Sequence, residues 1–191
     1  MDSSQHVVCI KSSSVDSDDN TFIDYTLSTK DIILCQKDIA EQDSDFLKVI
    51  PTTVIMHEGK LWAFKRSASA QISVAFDSDL RLNDLIVKDA HIDLDESFDN
   101  YFYQQLENNL SLGSYVVKLD VLPNLLCQDI QNDTTGVIRH AHVYHLDGPN
   151  IQPAENNLNV LGFLSPEELL SDSFDCDTAT KNICKAILER F

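Results

Sequence analysis

Apolar residues recur at every fourth position through Phe98, Phe102, Leu106 and Leu110, which predicts an amphipathic helix over residues 95–110 with one buried stripe. Asp93 and Asp95 stand before it as capping candidates, and their charge suits the positive end of the helix dipole. Most of the remaining chain has strand character. Residues 49–56 and 61–65 are apolar runs flanking His57-Glu58-Gly59, so they predict a hairpin in which Gly59 supplies a permissive backbone. The β-branched runs 115–122 and 137–146 predict two further strands, and 158–163 a short one. Ser165-Pro166-Glu167-Glu168 places a Ser N-cap before Pro at the first helical position. A closing helix follows Asp175 or Asp177, with Ile183, Ala186, Ile187 and Phe191 facing inward.

Ahead of these elements lie two short β-type runs, 6–10 and 31–35, separated in part by the polar stretch from Ser12 to Asn20, which has no means of building a core. This organisation predicts an N-terminal extension, residues 1–47, packed on a domain spanning 48–191. A chain of 191 residues with 43% hydrophobic content suffices for one such domain.

Charge narrows the function. Fourteen basic against 31 acidic residues give a net charge of -17, with no cluster of Lys and Arg to release counterions from a phosphate backbone, so direct nucleic-acid binding is not expected. The acids are spread along the chain, which reads as a solvated surface; the functional alternative is an acidic mimic of nucleic acid that acts on a basic partner. No run reaches the length of a membrane span, and the first residues lack a leader pattern, so a cytoplasmic protein without membrane association is expected. Cys9, Cys35, Cys127, Cys176 and Cys184 lack the CxxC spacing of a zinc site and read as buried reduced thiols.

Several stretches carry a family resemblance in order. They are residues 36–41 followed by 45–51, the strand Lys60-Leu61-Trp62-Ala63-Phe64-Lys65-Arg66, Arg81-Leu82, and Ala90-His91-Ile92-Asp93. Then come Val137-Ile138-Arg139-His140-Ala141-His142 and Gly162-Phe163-Leu164-Ser165-Pro166-Glu167-Glu168. Together they resemble a phosphoesterase-like branch of the Nudix hydrolases over roughly residues 35–190. The resemblance implies an α+β fold, a Nudix-like α/β/α sandwich with a mixed β-sheet. It also implies that Arg66 precedes the substrate loop and that Arg66, Glu96 and His140 are ligand-binding candidates.

With Glu96 laid on the first glutamate of the family's catalytic motif, Glu96, Leu106 and Leu112 match. The motif's opening Gly falls on Ala90, its Arg on Gln104, the next Glu on Gln105, the Glu pair on Asn108 and Asn109, and its late Gly on Ser111. At about 100° per residue, positions 105, 108 and 109 still share one helical sector, whereas Glu107 points away from it. Spacing survives and charge does not. An amide oxygen can touch a hard cation but neither neutralises it nor serves as a general base. The resemblance therefore implies a degenerate catalytic motif with no catalytic or metal residue assigned and no expected cofactor. Glu96 and Asp93 are the weak candidates for a displaced Mg2+ or Mn2+ site.

His140 and His142 share one strand face and His145 the other, so a zinc site lacks its third ligand and packing or ligand contact is the better reading. Trp62 and Phe64 read as core or pocket wall. Three functions remain open: a non-catalytic module binding a nucleotide-like small molecule or a protein partner, a divergent metal-dependent hydrolase of nucleoside diphosphate-linked compounds, and the acidic mimic.

Overall fold

The structure is a computed structural model, and it describes residues 6–15, 22–23, 27–122, 124–128, 136–154 and 157–190. The predicted place of Phe191 and most of the polar stretch before Asn20 lie outside the described residues, as does the side chain of Cys127.

Along the chain the elements are β1 (His6–Lys11), β2 (Phe22–Ile23), β3 (Ile33–Gln36), α1 (Lys37–Ala40), β4 (Phe46–His57), β5 (Lys60–Arg66), β6 (Ile72–Ser73), β7 (Ala75–Asp77), β8 (Ile86–Lys88) and β9 (His91–Asp93). There follow α2 (Leu94–Asn109), β10 (Leu110–Leu112), β11 (Val116–Val121), β12 (Asn124–Gln128), β13 (Gly136–Leu146), β14 (Ile151–Pro153), β15 (Leu158–Leu164), α3 (Pro166–Leu170) and α4 (Thr178–Arg190). Each predicted element is present within a few residues of its expected ends. Missing from the sequence reading were α1, β2, β6, β7 and β12, together with the pairs β8–β9 and β10–β14, whose three-residue strands are too brief for period-two alternation to register.

Two compact units share these elements. The first comprises residues 1–51, 77–102 and 123–140. Here β1 pairs antiparallel with β3, Val7 opposite Cys35, and with the start of β4, Cys9 opposite Lys48. Val7, Cys9, Cys35 and Ala40 form a buried cluster backed by Ile33 and Phe46. The Val8 amide donates to the Leu80 carbonyl at 2.8 Å, which ties the segment after β7 to β1. On the far side of this unit β12 pairs with the first half of β13, Leu126 opposite Ile138, and with β2.

The second unit holds residues 52–76, 103–122 and 141–191. Its hairpin joins β4 to β5 through Glu58 and Gly59, whose φ angles of 48° and 76° are both left-handed, as a two-residue hairpin turn requires. Along its outer side β5 pairs with β15, Trp62 opposite Phe163. The core of this unit gathers Ile55, Trp62, Phe64, Phe76, Leu106, Leu110, Leu146 and Ile151. Phe64 stacks on Phe76 at 4.6 Å between ring centroids, so Trp62 and Phe64 are core residues.

Helix α2 buries Phe98, Phe102 and Leu106, three positions of the predicted stripe; Leu110, the fourth, is buried as the first residue of β10. Asp93 is its cap: the Glu96 amide donates to Asp93 Oδ1 at 3.1 Å. At α3, Ser165 is the N-cap before Pro166, as expected, and it also forms a reciprocal capping box with Glu168. Asp177 caps α4, accepting from the Thr180 amide at 2.7 Å, and Ile183, Ala186 and Ile187 are buried as expected.

Candidate functional site

On α2 the four replaced positions separate by exposure. Gln104 and Asn108 are exposed, while Gln105 and Asn109 are half-buried. The Asn109 Nδ2 donates to the Gln105 backbone oxygen at 2.8 Å and to its Oε1 at 3.0 Å. One turn of helix separates the two residues, so their side chains close on each other and the Gln105 oxygen is occupied by an amide donor. Glu107 faces elsewhere, accepting a hydrogen bond from the exposed Tyr103 hydroxyl, which holds the Tyr103 pKa above its usual range.

Glu96 and Asp93 flank a cation that the chain itself provides. Lys88 Nζ forms an ion pair with Glu96 and lies 3.4 Å from Asp93 Oδ2. The Asp93 carboxyl is held below the ordinary range first by the Glu96 amide and then by Lys88, and Lys88 is correspondingly raised by Glu96. Lys88 and Asp93 belong to the β8–β9 hairpin and its junction with α2, which Ser97 locks: its buried hydroxyl accepts from the Ile86 amide at 2.8 Å and donates to the Asp93 carbonyl. The turn of this hairpin is Asp89-Ala90, with φ of 48° and 63°. Ala90, laid on the motif's glycine, thus retains a backbone conformation suited to glycine.

These residues do not fit a divalent ion. The helical sector offers neutral amides, two of them bonded to each other, and the two carboxylates before it share Lys88 as a counterion, which offsets one of their two charges. Among the described residues no three His, Cys, Asp or Glu side chains converge in a metal-holding geometry.

The remaining sequence candidates are held by structural contacts. Arg66 Nη2 donates to the Ala75 carbonyl at 2.9 Å, and its guanidinium lies 5.6 Å from the centre of the Phe64 ring. His140 lies 4.5 Å from the ring of Phe98 and 6.3 Å from that of Phe102. Burial among these rings lowers its pKa to about 4, so it is neutral at physiological pH. His142 is buried beside Tyr144, and His145 pairs with Asp120 at 2.8 Å, where Lys118 also approaches to 2.7 Å. Cys9, Cys35, Cys176 and Cys184 are buried free thiols, and burial raises the pKa of each.

A feature the sequence reading missed lies in the first unit. Lys37, Lys48, Ile50, Asp77, Ser78, Asp79, Arg81, Val137 and Arg139 line a cleft of about 360 Å³. Asp79 is its pivot, 2.6 Å from Lys37 Nζ and 3.6 Å from Lys48 Nζ, and these ammonium groups hold its carboxyl below the ordinary range despite burial. Arg139 forms an ion pair with Asp77, and the Ser78 hydroxyl bonds Tyr101. Only tertiary pairing brings these residues together: β1 and β3 deliver α1 beside the start of β4, and the Val8–Leu80 bond fixes the 77–81 segment against them. Lys37, Lys48, Arg81 and Arg139 are far apart in sequence, so no local charge run signalled them.

No protein-family model matches the chain, and no curated protein does. Solved structures do. The fold is similar to that of Tm1382, a protein classed with the Nudix hydrolases, at TM-score 0.68 and 15% identity over 97% of this chain and 100% of the other. It is also similar to the NUDIX domain of Shewanella oneidensis NrtR, whose structure was determined with ADP ribose, at TM-score 0.53 and 9% identity over 75% of this chain and 88% of that one. The fold is therefore the Nudix α+β fold expected from the sequence.

Proposed function

We propose that this chain is a binding module built on the Nudix fold, taking a nucleotide-like small molecule, and that it is not a metal-dependent hydrolase. One observation carries the reading: the Asn109 amide donates into the Gln105 side-chain oxygen, on the helical sector where the alignment calls for metal-ligating carboxylates. A hydrolase of this family needs anionic oxygens there, to offset a divalent charge and generate a nucleophile. Two amides bonded to each other supply neither. Lys88 further supports the reading, because its ammonium group occupies the carboxylates that Glu96 and Asp93 would otherwise offer to a metal. The ADP ribose seen with the NrtR domain is a property of that protein, and it suggests the chemical class to test first.

The experiment pairs calorimetry with an activity assay. The native chain should show weak magnesium or manganese binding and no metal-dependent cleavage of ADP-ribose or dinucleoside polyphosphates. Replacing Gln105, Asn108 and Asn109 together by Glu should tighten divalent binding by about tenfold or more, since three carboxylates restore a negative field on one sector. Glu107→Gln, on the face bonded to Tyr103, should leave it unchanged. Metal-dependent turnover by the native chain would sink the proposal in favour of a divergent hydrolase.

A further inference from the structure

Strand β11 and the residue before it present an apolar surface to solvent. Tyr115, Val116, Val117, Leu119 and Val121 are all exposed, Val117 by 64%. The strand is an edge: among the described residues it pairs with β13 alone. The register shows which of its backbone groups turn outward. The Leu122 amide donates to the Ala141 carbonyl at 2.9 Å, so by the alternation of an antiparallel ladder Asp120 and Lys118 also bond toward β13, while Leu119 and Val121 direct N–H and C=O away from it. Accordingly, it is Arg190 of α4 that donates to the Val121 carbonyl. Among the described residues no backbone bond outside the β11–β13 ladder uses the Leu119 N–H or C=O. An exposed apolar edge of this kind is a template for another strand.

The edge is also self-complementary. Val117-Lys118-Leu119-Asp120-Val121 reads apolar, base, apolar, acid, apolar. A second copy running antiparallel, with Leu119 opposite Leu119, sets each Lys118 against the other copy's Asp120 and each Val117 against Val121. Centring the pair one residue earlier or later puts Lys118 opposite Lys118 or Asp120 opposite Asp120, so charge selects one register. Within one chain Lys118 Nζ already lies 2.7 Å from Asp120 Oδ2, and the second copy extends this pair into a network of four alternating charges.

We propose that a second copy of this chain docks on β11, giving a two-fold symmetric dimer in which antiparallel β11 strands, centred on Leu119, join the two sheets. The pairing is closed, so the dimer consumes the edge and does not propagate into a filament. A second copy fits better than an unrelated strand because one register of β11 on itself matches both the charges and the apolar residues. The proposal goes beyond the binding-module reading and does not depend on what α2 holds.

The test is sedimentation velocity on the full chain from about 5 µM to 1 mM in about 0.15 M sodium chloride, where repulsion between two acidic copies is confined to about 8 Å. A monomer–dimer equilibrium with Kd of about 100 µM or tighter is expected, and hydrogen exchange at the Leu119 amide should slow as the dimer fraction rises. Lys118→Asp and Asp120→Lys each set like charges across the axis twice, so each should weaken self-association by about tenfold or more. Mixing the two variants should restore association, because acids on one chain then face bases on the other; a variant that had merely lost its fold would give no such rescue. Val87→Ser, at an exposed apolar position outside β11, should change nothing. A monomer throughout the range, as expected if β11 receives a strand from a different protein, would overturn the assignment. So would native self-association in both charge variants, or a mixture that associates no more tightly than either variant alone.

Discussion

Ala90 carries a side chain through a left-handed turn, φ 63°, where a Cβ crowds the following carbonyl. Ala90→Gly should therefore stabilise the protein by about 1 kcal/mol even after glycine's extra unfolded-state entropy is counted, because relief of strain exceeds that entropy at positive φ. Equilibrium urea unfolding of the two proteins measures this; an unchanged or lowered midpoint would show that the turn is not strained. His140 offers a second residue-scale test. Its folded pKa of about 4 lies below the ordinary 6.5, so the unfolded chain binds the proton more readily between those values. The His140 contribution is complete above about pH 6.5 and is lost as pH falls toward 4, by at most about 3 kcal/mol. His140→Phe should flatten that portion of the stability–pH curve, readable from urea midpoints between pH 4.5 and 7.

At the scale of elements, α4 begins where Asp177 accepts the Thr180 amide, while Thr180 Oγ1 accepts from the Val74 amide at 3.1 Å and Asp177 N donates to the Ile72 carbonyl at 3.0 Å. Removing the cap by Asp177→Ala should cost about 1 kcal/mol, a fall in Tm of about 2–4 °C for a chain of this length, whereas Asp177→Asn should retain most of it. Local chemistry of this kind was legible in the sequence. The periodicity of Phe98, Phe102 and Leu106, the Ser165-Pro166 start and the Gly59 turn each act within a few residues, and each reappears in the fold. The motif alignment also specified which amides to inspect, and the bond between Asn109 and Gln105 follows from their i, i+4 spacing. What the sequence hid depends on long-range pairing. Nothing near Lys37 or Lys48 announces Asp79, which reaches them only because β1 is held between β3 and β4 and bonded to Leu80. The role of Lys88 as counterion to Glu96 was hidden for a related reason: it requires the β8–β9 hairpin to fold back, and its turn, Asp89-Ala90, lacks the glycine that marks such turns.

For the molecule as a whole, charge dominates. With 31 acidic and 14 basic residues, at least 17 carboxylates have no basic side chain of their own to pair with, whatever the detailed pairing. Their mutual repulsion opposes the compact state, and it acts over a Debye length that shrinks from about 30 Å at 0.01 M salt to about 10 Å at 0.1 M. Opposing it are attractive pairs such as Lys37–Asp79 and Arg139–Asp77, which salt also screens, but these are partly buried and so lose less than the exposed carboxylates gain. The expected result is a Tm that rises by several degrees as sodium chloride goes from about 10 to 200 mM at pH 7, the reverse of a fold stabilised chiefly by surface ion pairs. A Tm that falls with sodium chloride would place the balance on the ion pairs.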